Sequence, residues 1–167
     1  MKNGIVIADS GPIFSLAVIG KLEILSALFN SIRIPNAVWE EITLNKKTEL
    51  YQIIHLFFQD KIQKITGFNE LTFLMDYGES ESVILYKELQ ADFLLIDDKK
   101  ARKIAESLGI NCIGTIGLLS VAKEKKIILE LKPLFDTLLQ NKRYYSVELL
   151  NTILVRHKES TIKPTKC

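Results

Sequence analysis

The residues of this chain best suited to chemistry are carboxylates, and they recur in four separate stretches. Asp9 ends the apolar run Gly4-Ile5-Val6-Ile7-Ala8. Asp97 and Asp98 end Phe93-Leu94-Leu95-Ile96, and the cations Lys99, Lys100, Arg102 and Lys103 follow at once. Glu79 lies in Asp76-Tyr77-Gly78-Glu79-Ser80-Glu81, and Glu40 and Glu41 close Asn36-Ala37-Val38-Trp39-Glu40-Glu41. Carboxylates packed together repel one another and take up protons unless a cation sits among them. A hard divalent ion removes that penalty; Mg²⁺ takes oxygen ligands at about 2.0–2.1 Å and keeps several waters. One or two such ions, about 3.5–4 Å apart when paired, lower the pKa of a bound water and stabilise the charge of an in-line phosphoryl displacement. That chemistry needs no histidine, and the chain has only His55 and His157.

Each acid also has a plainer reading. An aspartate at a helix start caps free amides and faces the positive end of the helix dipole. Asp9, Glu79 and Asp98 all have such positions, and Glu40 and Glu41 suit a solvated helix face. A cap needs one acceptor, however, which Ser, Thr or Asn would supply. Acids that recur at strand ends and are doubled in two places exceed that need. Lys99, Lys100, Arg102 and Lys103 lie mostly off the apolar face made by Ala101, Ile104, Ala105 and Leu108. They read equally as a solvated face paired with Glu106 or as a cationic rim that draws a polyanion towards the acids. His55 falls on the flank of an amphipathic helix, and His157 in a disordered surface end.

The elements that must position these groups follow from the pattern. Short continuous apolar runs at residues 4–8, 92–96 and 110–113 suit strands buried on both faces. Ile32-Arg33-Ile34-Pro35 reads as another strand, and residues 61–66 as a weaker one. Between them lie helical patterns. Pro12 is placed for a first helical turn, with a break near Gly20. Leu50, Ile53, Ile54, Phe57 and Phe58 mark one amphipathic face. Helices are also expected from Glu79 to Gln90, after Asp98, after Thr115, and around Leu131–Leu139 and Leu149–Leu154. Strands alternating with helices predict an α/β fold, a parallel sheet covered by helices on both faces. Ligands of such sheets bind outside the carboxyl ends of the strands, where Asp9, Asp97 and Asp98 fall.

Bulk properties narrow the class. A chain of 167 residues that is 47% hydrophobic and 25% charged can build one domain with a substantial core. The net charge of +2 points neither towards nor away from nucleic acid, so any binding patch must be local. Cys112 and Cys167 have no metal-ligand spacing, and Cys112 reads as a small core residue in a reducing, cytoplasmic setting. The N-terminus is not read as a signal peptide, because Asp9 interrupts its apolar run. No run approaches the roughly 20 apolar residues of a membrane span. Residues 1–158 are read as a single domain and 159–167 as a flexible polar tail.

Taken in order, these stretches resemble the PIN-domain family. Val6-Ile7-Ala8-Asp9-Ser10-Gly11-Pro12-Ile13 is similar to its opening Asp-Ser motif, and Ile34-Pro35-Asn36-Ala37-Val38-Trp39-Glu40-Glu41-Ile42 to its second. Gly78-Glu79-Ser80-Glu81-Ser82 and Leu95-Ile96-Asp97-Asp98-Lys99-Lys100-Ala101-Arg102 resemble the third and fourth. Gly114-Thr115-Ile116-Gly117-Leu118-Leu119 with Ala122-Lys123 is similar to a feature of one prokaryotic subgroup. The likeness runs from about residue 4 to residue 155.

The resemblance implies a three-layer α/β/α sandwich with a central, mostly parallel sheet. It implies Mg²⁺- or Mn²⁺-dependent cleavage of single-stranded RNA, as in VapC-type toxins of toxin–antitoxin pairs, with a small antitoxin and a homodimer as partners. Carried over by position, the catalytic acids are Asp9, Glu41, Glu79 and Asp98. Metal ligation falls to Asp9, Glu79 and Asp98, with Asp97 as a further candidate; Ser10 supports the site, and Lys99, Lys100, Arg102 and Lys103 meet the RNA. Glu41 is preferred to Glu40 because it stands three residues after Val38, and Asp98 to Asp97 because the metal-facing acid is usually the second after the strand. The chain departs from the family where Glu79 replaces a frequent Asp, with Asp76 and Glu81 as rivals, and where Ile96 replaces a frequent Thr or Ser. Those departures keep open a second reading, a PIN fold that grips RNA or a protein without hydrolysis. A phosphatase-like phosphoryl-transfer enzyme is the third, with no phosphate-cradling glycine loop to recommend it.

Overall fold

In the computed structural model, which describes residues 2–163, four short strands form one parallel sheet. They are β1 (Ile5–Ala8), β2 (Ser31–Arg33), β3 (Phe93–Leu95) and β4 (Cys112–Ile113), in the order β2-β1-β3-β4. β1 pairs with β3 in the register Ala8↔Leu95. The helices between them are α1 (Ser10–Val18), α2 (Glu23–Leu28), α3 (Asn36–Thr43), α4 (Leu50–Phe58), α5 (Tyr77–Glu88), α6 (Lys99–Ser107) and α7 (Thr115–Glu124), followed by α8 (Lys132–Gln140) and α9 (Val147–Arg156); a 3-10 turn spans Glu70–Phe73.

The strands are apolar throughout because each is buried on both faces. Val6, Ala8 and Leu95 point into a large core built with α1, α2, α3, α4, α7, α8 and α9. Ile7, Leu94 and Ile96 point the other way, into a smaller core under α5 and α6. Successive residues alternate between the two, as a strand must. The result is the expected three-layer α/β/α sandwich. Parallel strands set all carboxyl ends at one edge, so Asp9 and the pair Asp97 and Asp98 emerge side by side there.

The breaks have local causes. Gly20 turns the chain between α1 and α2 at φ +63°. Gly4 adopts φ +43°, and a Cβ there would collide with the Asp92 carboxylate, which accepts the Ile5 amide at 2.6 Å. The strand expected at 61–66 is reduced to one parallel bridge, Ile34↔Ile62. Beyond it the chain peels away, because the Thr66 and Gly67 amides donate to the Glu88 carboxylate at the end of α5. The helices at 50–58 and 147–156 divide their apolar residues: Ile54, Phe58, Leu150 and Leu154 are buried, whereas Ile53, Leu56, Leu149 and Val155 are exposed.

The end of the chain is more engaged than its polarity suggests. His157, expected in a disordered end, is half-buried, and its Nε2 lies 2.7 Å from the Ser120 hydroxyl. Glu159 pairs with Lys123 and accepts the Leu131 and Lys132 amides at the start of α8. The Ile162 amide and carbonyl bond Asn151 at 2.7 and 3.0 Å. Residues 164–167 of the expected tail, Cys167 among them, lie outside the described residues. Cys112 is half-buried in β4, where desolvation pushes its thiol up to about 11. Among the described residues, no helix is long and apolar enough to cross a membrane.

Candidate functional site

β1 delivers Asp9 to the sheet edge, where it takes the N-cap position of α1 without capping it. The side chain is 6% exposed, and its Oδ1 has no hydrogen-bond partner. A buried carboxylate oxygen left unpaired is costly. Its burial raises the Asp9 pKa to about 7, and the charges of Glu79, Glu41 and Asp76 push in the same direction against the pull of the Ser10 amide.

Those neighbours come from two helices. Glu79 sits in the first turn of α5, where it forms a capping box with Asp76: the Glu79 amide donates to Asp76 Oδ1 at 2.9 Å, and the Asp76 amide to Glu79 Oε2 at 3.3 Å. Desolvation raises Glu79 to about 7, with Asp76, Asp98 and Glu41 adding repulsion. Glu41, on α3, is raised by desolvation and by Asp76 and lowered by the Ser10 hydroxyl. Gly78 lets α3 and α5 close up, since a Cβ there would strike the Glu41 carboxylate. Asp98 caps α6, accepting the Ala101 amide at 2.8 Å, and its charge still reaches Glu79. Asp9, Glu41, Asp76, Glu79 and Asp98 therefore share one field, a buried acid ringed by partly solvated ones.

Glu40 does not join them; its Oε1 takes the Asn36 side-chain amide. Glu81 is buried and accepts the Ala37 amide at 2.9 Å, which ties α5 to the start of α3. Asp97 is committed elsewhere. Its Oδ1 accepts the Thr115 amide at 2.8 Å, and its Oδ2 accepts the Thr115 and Tyr145 hydroxyls at 2.7 and 2.6 Å. The Tyr145 oxygen lies 2.7 Å from the Ser15 hydroxyl, which accepts Arg143 Nε at 3.0 Å. Arg143 also donates to the Gly11 carbonyl. Asp97 is thus a pin between β3, α7 and the segment before α9, and it is not a free ligand. This network also explains Gly114-Thr115: a Cβ on Gly114 would crowd Asp97 Oδ1 and Arg102.

The cations divide similarly. Arg102 is held by Glu106 at 2.8 Å and reaches the Cys112 carbonyl at 3.4 Å, so it realises the surface-pair reading. Lys99, Lys100 and Lys103 are exposed on α6. The sequence weighs Asp76 and Glu81 as rivals of Glu79; Asp76 joins the acid field through its capping box with Glu79, whereas Glu81 does not. The sequence reading missed Tyr145, Ser15 and Arg143, which no local pattern connects to Asp97.

No three His, Cys, Asp or Glu side chains among the described residues stand in ligating arrangement. The orphaned Asp9 oxygen and an all-oxygen donor set nevertheless fit a hard divalent ion.

Comparison with known proteins agrees with this architecture. A family model described as DUF3368, PIN domain, matches residues 5–159. A solved PilT N-terminus domain protein from the hyperthermophilic archaeon Sulfolobus solfataricus is similar at TM-score 0.53 and 20% identity, covering 71% of this chain and 92% of that one. A search of curated proteins gave no match.

Proposed function

The chain belongs to the PIN-domain family, whose members are generally nucleases that use divalent metals, and from that premise we propose that it is a Mg²⁺- or Mn²⁺-dependent endoribonuclease of single-stranded RNA, acting as the toxin of a toxin–antitoxin pair. The observation that carries the reading is Asp9 Oδ1, buried without a partner beside Glu79, Glu41 and Asp76, with Asp98 acting on Glu79. A fold retains such a group when a ligand completes it.

Asp9, Glu79 and Asp98 would hold the ion, with Glu41 beside them. Mg²⁺ or Mn²⁺ bound there supplies a Lewis acid for water and for the developing phosphate charge. The protein's own groups do the rest. Glu79 is raised to about 7 in the metal-free chain and would stay ionised as a ligand of a bound divalent cation. Ser10 orients Glu41. Lys99, Lys100 and Lys103 raise the local concentration of a polyanion. A small antitoxin and a second copy of the chain complete the proposal, with exposed Ile53, Leu56, Phe68 and Phe73 as apolar surface for protein partners.

A titration of Mn²⁺ by calorimetry, paired with cleavage of a labelled RNA strand, tests this. Asp9→Asn is expected to lower both affinity and rate, the rate by about 10²–10³-fold as for loss of one electrostatic contributor. Unchanged binding and cleavage in that variant would remove the assignment. The departures at Glu79 and Ile96 favour a second reading, an RNA-gripping module without hydrolysis. It predicts RNA binding with no cleavage in Mn²⁺ at any pH from about 6 to 9, a window that brackets the acids' titration.

A further inference from the structure

Behind Asp97 lies a cavity of about 990 Å³, walled by β4, the start of α7 and the α9 face from Ser146 to Ile153, with Asp97 and Glu148 as its carboxylates. Its cations come from distant parts of the chain: Lys99 and Arg102 from α6, Lys142 and Arg143 from the segment between α8 and α9. Tyr144 and Tyr145 add two aromatic rings. The rings differ in state. Tyr145 is fixed to Asp97 and Ser15, whereas Tyr144 is 80% exposed, and no side-chain hydrogen bond holds it among the described residues.

None of Asp9, Glu41, Asp76, Glu79 and Asp98 lines the cavity, but two links tie its wall to them. Asp97 is followed at once by Asp98, whose charge acts on Glu79. Arg143 grips the Gly11 carbonyl at 2.8 Å, two residues from Asp9. Lys142 is exposed and held at φ +58° by a helix-ending turn, in which the Arg143 amide bonds the Leu138 carbonyl and the Lys142 amide the Leu139 carbonyl. Such a turn normally takes glycine or asparagine.

We propose that this cavity is the subsite for the one or two nucleotides that flank the scissile phosphodiester, with Tyr144 as the base-stacking platform and Lys99 and Lys142 as the phosphate contacts. The proposal rests on the nuclease reading for which phosphodiester is cut, and stands on the cavity's own chemistry for what is bound. Its size lies at the upper end of small-ligand pockets, roughly 300–1,000 Å³, which is room for a nucleotide or two but not for a duplex. Separated lysines suit a flexible backbone, and an exposed ring stacks any unpaired base. Selection of single strands then follows from shape: bases in a duplex have no free face to offer Tyr144.

The test measures binding apart from cleavage. A 5′-labelled twelve-nucleotide RNA strand is titrated with the full chain in EDTA and followed by fluorescence anisotropy. Thermal melts confirm that Tyr144→Ala and Lys142→Gln fold. Tyr144→Ala is expected to weaken binding about 5–20-fold, as for one lost base stack. Lys142→Gln is expected to weaken it and to lower the salt slope of log K by about 0.7. Lys47→Gln, on the far exposed turn before α4, serves as the control and should bind as the unaltered chain does. A DNA strand that binds equally supports the stacking site, because the ring does not touch the sugar. Unaltered affinity in both variants overturns the proposal, as does a blunt duplex that binds as well as the strand. If those results come with RNA cleavage in Mn²⁺, the nuclease reading survives alone. If the variants lose binding while the unaltered chain cuts nothing, the subsite survives and the nuclease reading fails.

Discussion

Asp9 and Asp97 leave adjacent parallel strands at the same sheet edge, yet their surroundings differ in kind. Asp97 accepts three hydrogen bonds from Thr115 and Tyr145, and with desolvation its charge helps push the Tyr145 hydroxyl up to about 12. Asp9 has a buried oxygen with no donor at all and is driven up to about 7. One carboxylate is spent on holding elements together. The other is left incomplete, at a cost to the fold. Sequence position cannot separate these roles, since both acids follow an apolar strand; the supply of donors does.

The largest effect should come from breaking the satisfied member. Asp97→Ala leaves the Thr115 amide and hydroxyl without their acceptor and the Tyr145 hydroxyl with Ser15 alone, and Thr115 is fully buried. Each buried polar group left unmet costs about 1–3 kcal/mol. A loss of about 3–5 kcal/mol is expected, a fall in melting temperature on the order of 10 °C for a chain of this size. A calorimetric melt within about 2 °C of the unaltered chain's would show that Asp97 is no pin.

The incomplete member should respond with the opposite sign. The Asp9 pKa is raised in the folded chain, so the folded state holds its proton where the unfolded state has lost it. Its contribution to stability is full below the unfolded value and disappears as pH rises through about 7. In metal-free protein, Asp9→Asn should therefore already stabilise by about 1–2 kcal/mol near pH 5, roughly one pH unit above the unfolded value. At pH 8 it should stabilise by about 4 kcal/mol. Glu88 and Glu159, whose values are lowered, lose stability only as pH falls through their depressed values, so they do not blur this window. Melts across pH 5 to 8.5 that run parallel in the two proteins would contradict an uncompensated buried acid.

Tyr145→Phe probes the same contrast more gently. It removes one donor to Asp97 and one partner of Ser15, while Thr115 and Arg143 keep theirs. A loss of about 1–2 kcal/mol is expected by denaturant titration, well short of that for Asp97→Ala. Equal losses would mean that Tyr145 alone carries the pin.

Much of this was legible in the chain because burial on both faces writes itself as a continuous apolar run. Ile5 to Ala8 and Phe93 to Leu95 gave the strands, and the acids after them gave the edge. The segment 61–66 misled because weak alternation cannot reveal that Glu88, more than 20 residues away, takes its amides. The acid field was legible as a set and not in its detail. Asp9, Glu41, Glu79 and Asp98 share one field, whereas Asp97 was withdrawn by Tyr145 and Ser15, 48 residues after it and long before it. Contacts between remote segments leave no local period.

The smallest stability effect should belong to Asp98, and it sharpens the contrast most. Asp98 shares a strand end with Asp97 but has one assigned bond, to the Ala101 amide. Asparagine is as good an N-cap as aspartate, so Asp98→Asn keeps the cap and removes only charge. Part of that charge opposes Glu79, and its loss offsets the weaker interaction with the helix dipole, about 0.3–1 kcal/mol. The net change in stability should stay within about 0.5 kcal/mol. Mn²⁺ affinity should nevertheless fall, because an ion among carboxylates loses one formal charge from its surroundings. A variant that melts like the unaltered chain and binds Mn²⁺ more weakly would place Asp98 with Asp9. One that destabilises as Asp97→Ala does, with Mn²⁺ binding intact, would place it with Asp97 and leave the ion to Asp9, Glu41 and Glu79.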